Sequence, residues 1–164
     1  IKRYNSALLK TLNLEFDLNY INIYTFLIYG PGQKTDRLIP LMIANFLNNK
    51  SFFLKSPKFI RDFLFIDDYT DLITILMESK KIINIDINVG SGKKIYLSEI
   101  AKKIYSKIKK GKLKISTKNI SSKHQVEKLF PNLQLMNKYL YKWKPKYNLE
   151  DGLNLTIDYY KNLK

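Results

Sequence analysis

The chain has no cysteine, one histidine and six glycines among 164 residues. Without thiols there are no disulfides and no thiolate metal ligands, as in proteins kept in a reducing compartment; a cytoplasmic location is the expectation. With His124 alone, no Ser-His-Asp or Cys-His arrangement assembles. No dinucleotide-turn fingerprint is complete. The nearest approach, NVGSGKK (88–94), is followed by Ile95 where a GxGxxG fingerprint requires its third glycine, so a tight turn is expected there. YGPGQ (29–33) does not fit a phosphate-binding loop either. No apolar run approaches the roughly 20 residues that cross a bilayer. Residues 1–20 carry charges at helical spacing and lack a secretory pattern.

Acidic residues are also few. Fourteen Asp and Glu face 29 Lys and Arg, a formal charge of +15. Such a surplus points to a polyanionic partner, or to compositional drift toward lysine. The densest basic run, KKIYSKIKKGKLK (102–114), interleaves Ile104, Tyr105 and Ile108. That is the pattern of a solvated helix face, which favours drift. Arginine is scarce: Arg3, Arg37 and Arg61 are all there is.

What is present alternates strand and helix. The pattern predicts a helix over 2–18 with Ala7, Leu8, Leu12, Leu14, Phe16 and Leu18 on a broad apolar face. INIYTFLIY (21–29) reads as a strand, RLIPLMIANFLNN (37–49) as a helix with Pro40 in its first turn. SFFLK (51–55) and DFLFI (62–66) read as short strands, and Asp67 to about Ser79 as a helix. IDINVG (85–90) is a strand, a helix follows from Leu97, LKIS (113–116) is a short strand, and 117–131 is irregular. Helices are expected at 132–140 and 149–162. This is α/β packing. A parallel strand arriving from a helix at residue 21 needs earlier neighbours, so the expectation is the C-terminal half of a larger α/β protein.

In RDFLFIDDYTDLI (61–73), Asp67 and Asp68 suggest a catalytic or metal-binding pair. A metal needs more converging ligands than are at hand. A carboxylate at a strand-to-helix junction is expected instead to cap the helix. Arg61 opens the same stretch, before Phe63 and Phe65. A guanidinium there requires an anion or carboxylate. A phosphate-bearing ligand, Asp62 and exposure at the strand edge all remain open.

YGPGQ, RLIPLMI, RDFLFIDDYTDLI, NVGSG with LSEIAKKI, and WKPKYNLEDGLNLTIDYY form an ordered series over residues 2–163. It resembles the C-terminal half of the extended short-chain dehydrogenase/reductases acting on nucleotide sugars, the NAD-dependent epimerase/dehydratase family. The resemblance implies the end of a Rossmann-type parallel sheet plus the small substrate-binding region, with the N-terminal dinucleotide-binding half missing from this chain. It also implies hydride transfer by NAD or NADP at a sugar carbon, served by a Tyr-x-x-x-Lys pair.

Site residues follow from the same resemblance. Lys2 corresponds to the catalytic lysine, which also contacts the cofactor, and its tyrosine would precede Ile1. Thr25 and Phe26 correspond to the cofactor-lining strand end. Leu27, Arg37, Leu38, Phe52, Leu54 and Arg61 correspond to substrate positions, with Arg61 on the diphosphate. Leu27 stands where the family often has Asn. Ser122 stands where a second family arginine falls, with Lys123 or His124 as substitutes. The implied partner is a nucleotide-diphosphate sugar, with no nucleic acid or membrane, and a homodimer of the parent is expected. The rival readings are a basic nucleic-acid-binding module without catalysis, and a degenerate homologue that has lost activity.

Overall fold

The computed structural model describes residues 2–120 and 125–163, with side chains from Tyr4 onward. The elements follow the expected order. Helix α1 spans Lys2–Phe16, then come β1 (Ile21–Thr25) and β2 (Leu27–Tyr29), α2 (Leu38–Leu47) and β3 (Ser51–Leu54). Strands β4 (Ile60–Arg61) and β5 (Phe63–Phe65) lead into α3 (Ile66–Glu78). Strands β6 (Ile85–Val89) and β7 (Ile95–Tyr96), helix α4 (Leu97–Ile108) and β8 (Lys112–Ile115) follow. Strand β9 (Lys128–Leu129), α5 (Gln134–Tyr139) and α6 (Leu149–Asn162) complete the chain.

The pairings are mostly parallel: β1 with β6, β2 with β5, and β3 with β8. Strand β4 joins β7 antiparallel and β9 parallel. The single strand expected over 21–29 is therefore two. Partner β6 ends at Val89, and the amide of Phe26 makes the last bond, to the Val89 carbonyl. Beyond it the chain shifts to β5. Likewise 60–66 breaks at Asp62, and 128–129 in the expected irregular stretch is a two-residue strand.

Two cores result. The larger gathers Ile43 and Phe46 of α2, Ile100 and Ile104 of α4, and Leu153 and Ile157 of α6 around Tyr29, Phe63 and Phe65. The spacing of Leu97, Ile100, Ala101, Ile104 and Ile108 puts all five on the buried face of α4. The smaller core packs Leu72 and Leu76 of α3 and Met136 of α5 on Ile87 and Val89 of β6. Helix α6 is capped by Asn148, whose side-chain oxygen accepts from the Asp151 amide at 3.0 Å.

The side-chain cap expected of Asp67 and Asp68 is corrected, although both lie in the first turn of α3 at its positive dipole end. Phe65 holds the N-cap position of α3 and makes no side-chain cap bond. Asp67 is exposed. Asp68 is buried and accepts from the backbone amides of Lys146 at 2.7 Å and Tyr147 at 3.2 Å. It stitches the WKPKY segment to α3, with Lys146 also ion-paired to Asp71.

Apolar Leu8, Leu14, Phe16 and Leu18, expected on the inward face of the first helix, are all exposed. Ser6, Leu9, Leu12 and Asn13 of α1 are half-buried, and Ser6 bonds Asp86 of β6. No helix among the described residues is long and apolar enough to cross a membrane.

Candidate functional site

Arg61 sits between two adjoining cavities. One, of about 550 Å³, is lined by Phe26, Leu27, Gln33, Arg37, Leu38 and Arg61 among others. The second, of about 630 Å³, is lined by Leu38, Phe52, Leu54, Phe59, Arg61 and Gln125 among others. Leu38, Arg61 and Leu97 belong to both walls. Seven residues singled out in the sequence thus meet at one place. They come from the β1–β2 junction, the start of α2, strand β3 and strand β4.

Local structure explains each placement. Phe26 and Leu27 lie where the chain changes strand partner, so the break in pairing opens the cavity wall. Leu27 is exposed there and offers no polar contact. Arg37 precedes α2, is exposed, and lies 3.8 Å from the Asp36 carboxylate through Nε. Leu38 is the first residue of α2. Phe52 and Leu54 alternate with exposed Phe53 on β3, as a strand with one covered face requires.

The guanidinium of Arg61 finds neither carboxylate nor exposure alone. Nη1 donates to the carbonyls of Ile60 at 2.7 Å and Glu127 at 2.9 Å, and Nη2 to that of Val126 at 2.8 Å. Its plane also lies over Phe59, 4.8 Å from the ring centre. Three of five N–H donors are used, leaving two without a partner among the described residues. Burial pushes the guanidinium below its usual pKa without neutralising it. Asp62, the neighbouring candidate partner, points elsewhere. Its two oxygens accept from the amides of Ser91 and Gly92, each at 2.7 Å. The Gly-Ser-Gly turn is therefore a tight turn whose donors are already committed.

Thr25 does not line either cavity. Its hydroxyl shares a 3.1 Å hydrogen bond with Tyr69 of α3 at the end of β1. Lys2 begins α1, and its side chain lies outside the described residues, as do Ser122, Lys123 and His124. Among the described residues no three His, Cys, Asp or Glu converge as metal ligands.

The cavities also contain residues that sequence reasoning passed over. Gln33 donates its amide to the Ile28 carbonyl at 2.8 Å, and its own carbonyl accepts from the Tyr160 hydroxyl of α6. The loop after Gly30 is thereby tied down as a wall. Its Gly-Pro-Gly punctuation signalled a turn; what it faces was set by α6, 127 residues away along the chain.

The profile of the NAD dependent epimerase/dehydratase family matches residues 1–90. The chain is 27% identical over 148 residues to a CDP-abequose synthase of Salmonella muenchen, covering 86% of this chain and 48% of that relative. It is 36% identical over 78 residues to a dTDP-D-glucose 4,6-dehydratase of Dictyostelium discoideum, 47% of this chain and 18% of that one. In fold it is similar to a UDP-glucose 4-epimerase of Thermotoga maritima, solved with UDP-glucose. The TM-score is 0.87 at 23% identity, over 99% of this chain and 52% of that one. It is similar too to Pal from Bacillus thuringiensis, with TM-score 0.81 at 27% identity over 96% and 50%. The chain spans about half the length of the Salmonella, Thermotoga and Bacillus proteins. With the profile matching more than half of the residues, and the expected Rossmann-like architecture in place, the chain belongs to the NAD dependent epimerase/dehydratase family.

Proposed function

We propose that this chain supplies the nucleotide-sugar-binding half of an NAD(P)-dependent epimerase, dehydratase or keto-sugar reductase. The observation that carries the reading is the convergence on Arg61. A half-buried cation, with two donors unpartnered among the described residues, stands between two cavities, each with apolar and aromatic walls. A diphosphate suits that cation, because a planar fork binds two phosphate oxygens at once. A base fits beside Phe52 and Leu54, and a sugar beside Phe26 and Leu27. The family resemblance offers Lys123 or His124, both outside the described residues, for the family's second cation.

The cofactor fits this chain only at its edge. Thr25 and Phe26 lie at the end of β1, and Lys2 opens the helix before it. The sequence holds no complete GxGxxG turn between a strand and a helix. The Ser91 and Gly92 amides are taken by Asp62 and cannot cradle a pyrophosphate. NAD(P), once bound, would accept and return the hydride. Lys2 would hold the nicotinamide ribose and, as a cation, lower the pKa of a tyrosine base.

The test is calorimetric titration of the full-length protein with UDP-glucose, CDP-glucose and dTDP-glucose. At least one is expected to bind in the micromolar range. Arg61→Ala should weaken that binding by about 2–4 kcal/mol, the cost of stripping a paired buried charge. Unchanged affinity in the variant removes Arg61 from the site, and no binding of any of the three overturns the substrate class.

A further inference from the structure

The β1–β6 pair has one face that does not look like a parallel sheet. Such sheets are covered on both sides, and their strands read as nearly continuous Val, Ile and Leu. Here Ile21, Ile23, Ile85, Ile87 and Val89 fill one face, packed against α3 and α5. The opposite face carries Asn22 and Tyr24 on β1, in register with Asp86 and Asn88 on β6. Asp and Asn are depleted in strands, so a row of them in mid-strand requires a partner.

The partner is α1. The Asp86 carboxylate accepts from the Ser6 hydroxyl at 2.6 Å and from the Asn22 amide at 2.7 Å. Lys10 lies 3.6 Å from the same Asp86 oxygen that Ser6 engages. Asn22 in turn donates to the Tyr24 hydroxyl at 3.2 Å. Among the described residues, Lys10 from α1 and, through Asn22, Tyr24 from β1 are the titratable groups that face Asp86. Ser6 and Lys10 are one helical turn apart, so a single carboxylate holds α1 at two heights. That fixes both its rotation and its axial position. Little else does: the apolar Leu8, Leu14 and Phe16 are exposed. Lys2 stands one further turn toward the N-terminus, on the same i, i+4, i+8 row as Ser6 and Lys10.

We propose that Asp86 is a positioning residue that locks α1, and with it Lys2, onto the sheet beside the cofactor-lining end of β1. This rests on the reading of Lys2 as the catalytic lysine. A displaced cation one turn away would lower the pKa of the base less, and hold the nicotinamide ribose less well.

The experiment uses the full-length protein and the variants Asp86→Asn, Ser6→Ala and Lys2→Ala. Hydrogen exchange read by mass spectrometry over residues 2–16 should become at least tenfold faster in Asp86→Asn, with a smaller gain in Ser6→Ala. Peptides from β6 should stay protected, showing that the sheet remains folded. With whichever of UDP-glucose, CDP-glucose or dTDP-glucose is turned over, kcat of Asp86→Asn should fall at least tenfold. KM should stay within twofold, because the nucleotide-sugar cavities lie on other elements. The acid limb of the kcat profile should move to higher pH. Unchanged exchange in both Asp86→Asn and Ser6→Ala overturns the tie. Faster exchange with unaltered kcat and pH profile, while Lys2→Ala abolishes turnover, overturns the positioning role alone. Full turnover by Lys2→Ala overturns the Lys2 reading and the positioning role together, and the exchange data then still report the tie itself. Ser6→Ala deletes one hydroxyl from a helix surface, so it keeps the question open to refutation should Asp86→Asn not fold.

Discussion

Asp67 and Asp68 are neighbours in sequence and opposites in energetics. Asp68 is 1% exposed and satisfies two backbone amides of the segment before α6. Replacing it by Ala strips both part-buried donors of their partner, at about 1–3 kcal/mol. Asp67 is exposed and holds no such bond, so Asp67→Ala should cost under about 0.5 kcal/mol. Urea midpoints of the two variants check this directly; equal losses would show that Asp68 is no anchor. Nothing local separates them in the sequence, since Lys146 and Tyr147 approach from nearly 80 positions away. Arg61 illustrates the same limit. Its type and place before a buried strand marked it as a cation needing partners. That two of those partners are the carbonyls of Val126 and Glu127 depends on β9 pairing with β4, which a two-residue strand does not announce.

At the scale of elements, the well-patterned pieces were legible. Helix α4 runs from Leu97 with the spacing of five apolar residues that the sequence displays. Strand ends were less so, because β1, β2, β4 and β5 change partners at Phe26 and Asp62. Helix α6 was expected at 149–162, yet Gly152 in its first turn has a meaning seen only in three dimensions. A Cβ there would lie 2.2 Å from the Tyr29 hydroxyl oxygen and 2.9 Å from Cδ2 of Phe65. Ala is ordinarily better than Gly in a helix by about 1 kcal/mol. Here the contact with β2 and β5 outweighs propensity, and Gly152→Ala should destabilise by about 1–3 kcal/mol, the usual cost of overpacking. A rise in thermal midpoint would show that α6 can back away from the strands. Helix α1 behaves differently, because its tie is a titratable group. Burial alone pushes the Asp86 carboxyl up, but the Ser6 and Asn22 hydrogen bonds and Lys10 more than reverse this, holding it below the usual carboxylate range. Its stabilisation is therefore complete above the unfolded value of about 3.9 and is lost as pH falls through the lower folded value. Exchange over residues 2–16 should accelerate on acidification through that window before the β6 amides respond. In Asp86→Asn that component of the acid response should vanish.

At the scale of the whole molecule, surface charge and missing apolar cover decide what this chain does alone. The charge of +15 attracts any polyanion weakly, and NAD, nucleotide sugars and nucleic acids are all polyanions. Charge attraction between exposed groups is screened over about 8 Å at physiological ionic strength, whereas a built pocket is not. The two modes therefore separate with salt. Strand β1 is paired on one edge, to β6, among the described residues, and α1 leaves Leu14 and Phe16 more than 70% exposed. On the proposed reading those are the surfaces on which a dinucleotide-binding half would pack, and the Gly90-Ser91-Gly92 turn has its amides committed to Asp62. The 164-residue chain is accordingly expected to give no saturable heat with NAD at physiological salt, whatever weak association it shows in dilute buffer. Nucleic acid should behave the same way, with affinity collapsing as salt rises and no sequence or length preference surviving. Micromolar NAD binding that persists in added salt would mean a cofactor cradle outside the residues discussed. Salt-resistant RNA or DNA binding would instead make the lysine surplus the functional feature, with Arg61 and its cavities left as remnants of the family fold.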